Sequence, residues 1–148
     1  VRFLTILCGG LLVFSFAACQ TSPQASRAVA PPFPKPDARW KTRLGQLQYR
    51  KADRSIIGEC VASWRGEQDS VLEYHAGPGF LLLRLQTSGP FVRAEGPLAR
   101  GAWHGEKTRL PKHLKGWLEA AAAMRTGAER IQTDSPETEE TFRFVFVK

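Results

Sequence analysis

The residues in this chain able to do chemistry are few and scattered. Cysteines stand at positions 8, 19 and 60, and histidines at 75, 104 and 113. No histidines have H-x-x-x-H or H-E-x-x-H spacing, so no pair would meet on one helix face to hold zinc. No G-x-S-x-G turn is present to present a serine nucleophile, and there is no serine–lysine pairing of the β-lactamase kind. Asp53, Glu59, Glu73 and Glu95 are spread along the chain and not paired for acid–base hydrolysis. Gly77-Pro78-Gly79 lacks a following Lys-Ser/Thr, so it reads as a turn and not as a phosphate cradle. Cys60 falls in the inward register of a strand, which predicts a buried structural thiol. The expectation is a non-catalytic protein with no metal and no cofactor.

The first stretch of the chain carries a different message. Arg2 precedes an apolar run from Phe3 that ends in Phe16-Ala17-Ala18-Cys19. A basic start, an apolar region and a small-residue ending are the parts of a secretory signal peptide. Crossing a bilayer takes about 20 apolar residues, and this run is shorter. The ending also resembles the lipobox of bacterial lipoproteins, in which small residues precede an invariant cysteine. That resemblance implies cleavage after residue 18, a lipid on Cys19 and fatty acylation of its new amine. It also implies that Gln20, in place of a retaining aspartate, directs the protein to the outer membrane. The membrane, reached through this lipid, is then the first partner.

Cysteine usage agrees with such a chain. Cys8 leaves with the signal peptide and Cys19 is taken by lipid, so Cys60 has no mate for an intramolecular disulfide. Stability must come from an apolar core, which the rest of the chain is long enough to build. Residues 19–38 are rich in proline, alanine and serine with no apolar period, as expected of an extended tether. Residues 39–148 form the single globular domain.

Within the domain the pattern has period two. Leu47-Gln48-Tyr49-Arg50 alternates, and residues 55–65 place Ile56, Cys60, Ala62 and Trp64 on one face. Lys51–Arg54 between them reads as a hairpin turn. Further strands follow over Val71–His75, Phe80–Leu85 and Phe91–Glu95, separated by polar, glycine and proline turns. Short connections of this kind predict an antiparallel meander. After Pro111, the residues Leu114, Trp117, Leu118, Ala121 and Met124 recur at helical spacing and make one apolar stripe, with Gly127 as its stop. Residues 128–140 read as an exposed acidic loop. Phe142, Phe144 and Phe146 then share one face of a closing strand that returns to the core. The fold class is α+β: a mainly antiparallel meander, a curved sheet or half-barrel, covered by one C-terminal amphipathic helix.

Charge is strongly positive, formally +7. One basic cluster holds Arg50, Lys51 and Arg54, together with Arg39, Lys41 and Arg43. A second surrounds the start of the helix, with Arg100, Lys107, Arg109, Lys112 and Lys115. In an exported protein such clusters read first as a solvated surface, next as a contact for anionic lipid headgroups or acidic cell-wall polymers, and not as a nucleic-acid site.

The domain is similar to the LolA/LolB-like envelope lipoproteins. The similarity rests on the lipobox, a Trp near the domain start and the strand running from Gly77-Pro78-Gly79 into Leu81-Leu82-Leu83-Arg84-Leu85. It also rests on the segment Leu110-Pro111-Lys112-His113-Leu114-Lys115-Gly116-Trp117-Leu118. It implies an open curved sheet with an apolar site for acyl chains of other lipoproteins. Trp64, Leu83, Leu85, Trp117 and Leu118 are the expected lining, although an ordinary filled core accounts for the same five. Unlike the outer-membrane receptor of that group, this chain has a wholly polar turn at Arg65–Ser70. The functional expectation is a lipid-anchored envelope protein that binds or scaffolds, with an acyl chain or an envelope protein as partner. Acyl-chain carriage is the alternative reading, and an envelope enzyme the second.

Overall fold

A computed structural model of the chain describes residues 33–147. The expected signal peptide, Cys19 and most of the tether lie outside the described residues. Eight strands form one antiparallel sheet. They are β1 (Lys41–Lys51), β2 (Arg54–Arg65), β3 (Asp69–His75), β4 (Leu81–Ser88), β5 (Phe91–Gly96), β6 (Gly101–Glu106), β7 (Arg130–Ser135) and β8 (Glu140–Phe146). One helix, α1 (Lys112–Ala123), packs on the sheet and ends in a 3-10 turn before Gly127, whose φ is +80°. The expected fold class is the one observed.

Spatial order is β6-β5-β4-β3-β2-β1-β8-β7. The first six strands are a meander in chain order. The chain then crosses as α1 and returns on the free side of β1, where β8 pairs with it and β7 takes the edge. β6 and β7 are the two edges, so the sheet is open. At the close of β5, Gly96 has φ +112°, and a Cβ there would lie 2.6 Å from the Leu82 carbonyl oxygen. Only glycine fits a backbone that is both left-handed and pressed against its neighbour.

Period-two alternation gives the sheet one inward side, and α1 packs on it. Phe142, Phe144 and Phe146 face inward opposite Tyr49, Leu47 and Gly45. Across the meander, Cys60, Tyr74 and Leu83 make one inward row, and Ala62, Leu72, Leu85 and Ala94 the next. Leu114, Trp117, Ala120, Ala121 and Met124 of the helical segment close over these rows and are buried. Trp117 is the hub, with its ring 4.9 Å from those of Tyr49 and Phe142 and 5.6 Å from that of Tyr74. Burying a side chain of this size contributes on the order of 3 kcal/mol.

The outward side stays wet through cross-strand charge. Glu73, Arg84 and Glu95 stand opposite one another on β3, β4 and β5. The Arg84 guanidinium donates at 2.7 Å to each of the two carboxylates.

Two stretches differ from expectation. β6 was not expected, because Gly101-Ala102-Trp103-His104-Gly105 holds one large apolar residue and two glycines and shows no clear alternation. Residues 128–140 are not an exposed acidic loop. β7 occupies their middle, with Ile131 and Thr133 facing inward opposite Phe144 and Phe142. Glu140, the first residue of β8, is buried. Sequence counted its charge, whereas its burial depends on partners that only the sheet supplies.

Candidate binding cleft

Glu140 is the centre from which the site is built. Register places it opposite Lys51, the last residue of β1, so both side chains leave the same face of the sheet. Lys51 Nζ lies 2.9 Å from Glu140 Oε1. Tyr49, two residues earlier and therefore on the same face, donates its hydroxyl to that oxygen at 2.9 Å. Thr138, in the β7–β8 loop, donates to Oε2 at 2.7 Å. The carboxylate side chain is 1% exposed. Three donors, one of them cationic, are what a carboxylate needs in place of water at that depth.

The helix reaches this carboxylate because position 116 has no side chain. Gly116 is buried in the middle of α1, directly over Glu140, Ser135 and Thr138. A glycine inside a helix costs about 1 kcal/mol relative to alanine. Here it allows a close approach that any Cβ would obstruct.

Around this cluster lies a cleft at one end of the sheet. Its walls are the β1–β2 hairpin, the 3-10 turn Pro97–Ala99 with Arg100, the first turn of α1, and the β7–β8 loop. Two adjoining hollows of about 440 Å³ each share Lys51, Arg100 and His113. One has an apolar wall of Tyr49, Ile56, Leu98 and Trp117, with Arg54 and Arg100 at its rim. The other is polar and lies between Lys112, His113 and the segment Pro136–Glu139. His113 Nε2 is 3.4 Å from the Ala99 carbonyl oxygen and ties the helix start to the 3-10 turn.

The two basic clusters of the sequence meet here: Lys51 and Arg54 arrive from one, Arg100 and Lys112 from the other. Lys51 is held by Glu140, and Glu137 by Lys115 at 3.1 Å. The side chains of Arg54, Arg100 and Lys112 make no hydrogen bond or ion pair among the described residues, and neither do those of Asp53 and Glu139. Backbone strain concentrates in the same place. Among the described residues, the non-glycine positions with positive φ are Ala52 (52°), Arg100 (59°) and Glu139 (56°). All three border the cleft. Such conformations cost of order 1–3 kcal/mol each and gather where a fold serves a function.

Titration is shifted where burial is deepest. Tyr49 is raised well above its usual value, by burial first and then by its hydrogen bond to Glu140 and that charge. Arg100, the smallest of these influences, opposes the rise. Burial pushes the Cys60 thiol up to about 12, with a small opposing pull from Arg43. Cys60 is a free, buried thiol, as its register predicts. Among the described residues no cluster of His, Cys, Asp and Glu could hold a metal ion.

The five residues named from sequence occupy different depths. Leu83, Leu85 and Trp117 are buried in the core, and Trp64 and Leu118 pack against it half-buried. Trp117 is the member of this group that borders the cleft. Apolar periodicity, the signal these five share in the sequence, marks the core. Of the cleft residues, Tyr49 shows only the alternation of its strand, Arg54 and Arg100 only their places in the basic clusters, and Glu140 only its place in an acidic stretch. A comparison with known proteins finds no match, neither to a protein-family model nor to a curated protein.

Proposed function

We propose that this chain is a lipid-anchored protein of the bacterial envelope with a binding role. Cys19 carries the lipid, residues 19–38 are the tether, and the cleft is the binding site. The observation that carries the binding half is the clustering of Ala52, Arg100 and Glu139, each in a left-handed conformation, around two adjoining hollows whose Arg54, Arg100 and Lys112 have no ion-pair partner among the described residues. The non-catalytic reading is supported by Cys60, the remaining thiol, whose nucleophilic form is disfavoured by burial. The anchor is supported by the lipobox resemblance, which also directs the protein to the outer membrane.

A second reading, carriage of an acyl chain as the LolA/LolB resemblance implies, is favoured by the apolar wall of Tyr49, Ile56, Leu98 and Trp117. The anchor is tested by fractionation. The wild-type protein is expected in the outer-membrane fraction with label from radioactive palmitate. Cys19→Ser is expected to lose the label and become extractable without detergent. Equal sedimentation of the variant after carbonate washing would refute the anchor.

A further inference from the structure

Resting on that binding reading, we infer that the ligand is an anionic amphiphile: an oxyanion head held between Arg54 and Arg100, joined to an apolar body lying on Ile56, Leu98 and Trp117. The head group is indicated by two guanidinium groups from different elements that line one hollow and have no hydrogen-bond or ion-pair partner among the described residues. Both arginines are exposed, and guanidinium forks match phosphate and carboxylate oxygens two at a time through charge-assisted bonds. Lys112 approaches from the helix start and borders the adjoining hollow.

The cleft's own acids do not already fill this role. Glu140 is enclosed by Lys51, Tyr49 and Thr138, and Glu137 is drawn to Lys115. In the hollow that holds both arginines, Lys51, Arg54 and Arg100 set against Asp53 and Glu140 leave a surplus of one positive charge. A small surplus suits a ligand of one or two charges and disfavours a polyanion.

The apolar body is indicated by the wall itself. Ile56 and Leu98 are half-buried and packed against the core, and Trp117 continues their surface to the interior. A hollow of about 440 Å³ lies within the range of small-molecule sites. Apolar lining with a few convergent polar groups is the usual composition of such sites. A bare inorganic anion would leave this wall against water, and an uncharged amphiphile would leave both guanidinium groups unanswered.

The test uses the full chain carrying Cys19→Ser, so that neither its own lipid nor detergent competes. Three probes are titrated and followed by tryptophan fluorescence and calorimetry: decyl phosphate and decyl maltoside, each below its micelle concentration, and inorganic phosphate. Decyl phosphate is expected to bind saturably with one site, at least tenfold more tightly than either of the others. Arg54→Ala and Arg100→Ala should each weaken it tenfold or more with an unchanged urea midpoint, since neither side chain has a hydrogen-bond or ion-pair partner among the described residues. Arg109→Ala, exposed outside the cleft, should leave affinity unchanged.

Equal binding of decyl maltoside would overturn the role of the head group, and equal binding of inorganic phosphate would overturn that of the apolar wall. Absence of binding by all three would overturn the ligand class. If palmitate labelling still depended on Cys19 in that case, the anchor would stand without this ligand. A free phosphate metabolite and a lipid head group are separated by the first and third probes.

Discussion

Gly116 rests on the carboxylate of Glu140. A Cβ at position 116 would come 2.6 Å from Oε2 and 3.1 Å from both the Ser135 Cβ and the Thr138 Oγ1. Elsewhere in a helix, alanine for glycine gains about 1 kcal/mol. Here the carboxylate is fixed by its donors and cannot swing aside, so overpacking of about 1–3 kcal/mol outweighs the gain. Gly116→Ala is therefore expected to lower the urea midpoint. A more stable variant would show that helix and sheet are separable at this point.

The hydroxyl of Tyr49 serves the same carboxylate from the sheet side. Tyr49→Phe keeps the ring contacts with Trp117 and Phe142 and deletes one donor to a buried charge. A loss of about 1–3 kcal/mol is expected. Combined with Glu140→Gln, the two losses should fall short of additivity by on the order of 1 kcal/mol, because both act on one bond. Strict additivity in chemical denaturation would exclude the coupling.

Cys60 sets an alkaline limit. Its thiol, ordinarily near 9.0, is pushed up to about 12 by burial, and the Tyr74 hydroxyl, ordinarily near 10.0, also to about 12. Both groups hold their protons longer when folded than when unfolded. Their contribution is fully present below the unfolded values and is lost as pH rises toward 12. The unfolding free energy should fall between pH 9 and 11, and Cys60→Ala should reduce the slope by at most about 1.4 kcal/mol per pH unit. At pH 8 the native thiol should resist a disulfide reagent that reacts at once in urea. Stability that rises over this interval would contradict the burial account.

Arg84 bridges Glu73 and Glu95 in the outer ladder but is more than one-third exposed. Water and salt screen such a cluster, so Arg84→Ala should cost no more than about 1 kcal/mol at low salt. The difference from wild type should shrink in 1 M sodium chloride, where the Debye length is about 3 Å. A loss that persists at high salt would assign Arg84 a packing role instead.

Much of the scaffold was legible because its signals are local. Alternation in β1 and β2, the breakers before β4 and after β5, the stripe through Trp117 and the row of three phenylalanines each lie within one short window. β6 lacked a window of its own: its glycines weaken the strand pattern, and pairing with β5 supplies what the residues do not. β7 offered only Ile131 and Thr133 as inward residues amid acidic neighbours, so charge concealed the alternation.

The cleft was less legible because it is assembled across the chain. Tyr49 and Glu140 are 91 positions apart and meet only when β8 crosses back to pair with β1. Arg54 and Arg100 were visible as members of two basic clusters, but nothing local placed those clusters at one mouth. Periodicity selected Leu83 and Leu85, which measure depth within the core and do not distinguish a wall from a filling.

β1 begins at Lys41 and ends at Lys51, and β8 runs the opposite way beside it from Glu140 to Phe146. The cleft sits at the Lys51–Glu140 pole, so both routes by which the backbone leaves the strands depart away from it, about 30 Å along β1 and about 20 Å along β8. A leash or a fusion attached at either terminus would pull from behind the domain and leave the mouth clear. Grafting this domain onto a bead or sensor chip through an end is accordingly compatible with an unobstructed opening.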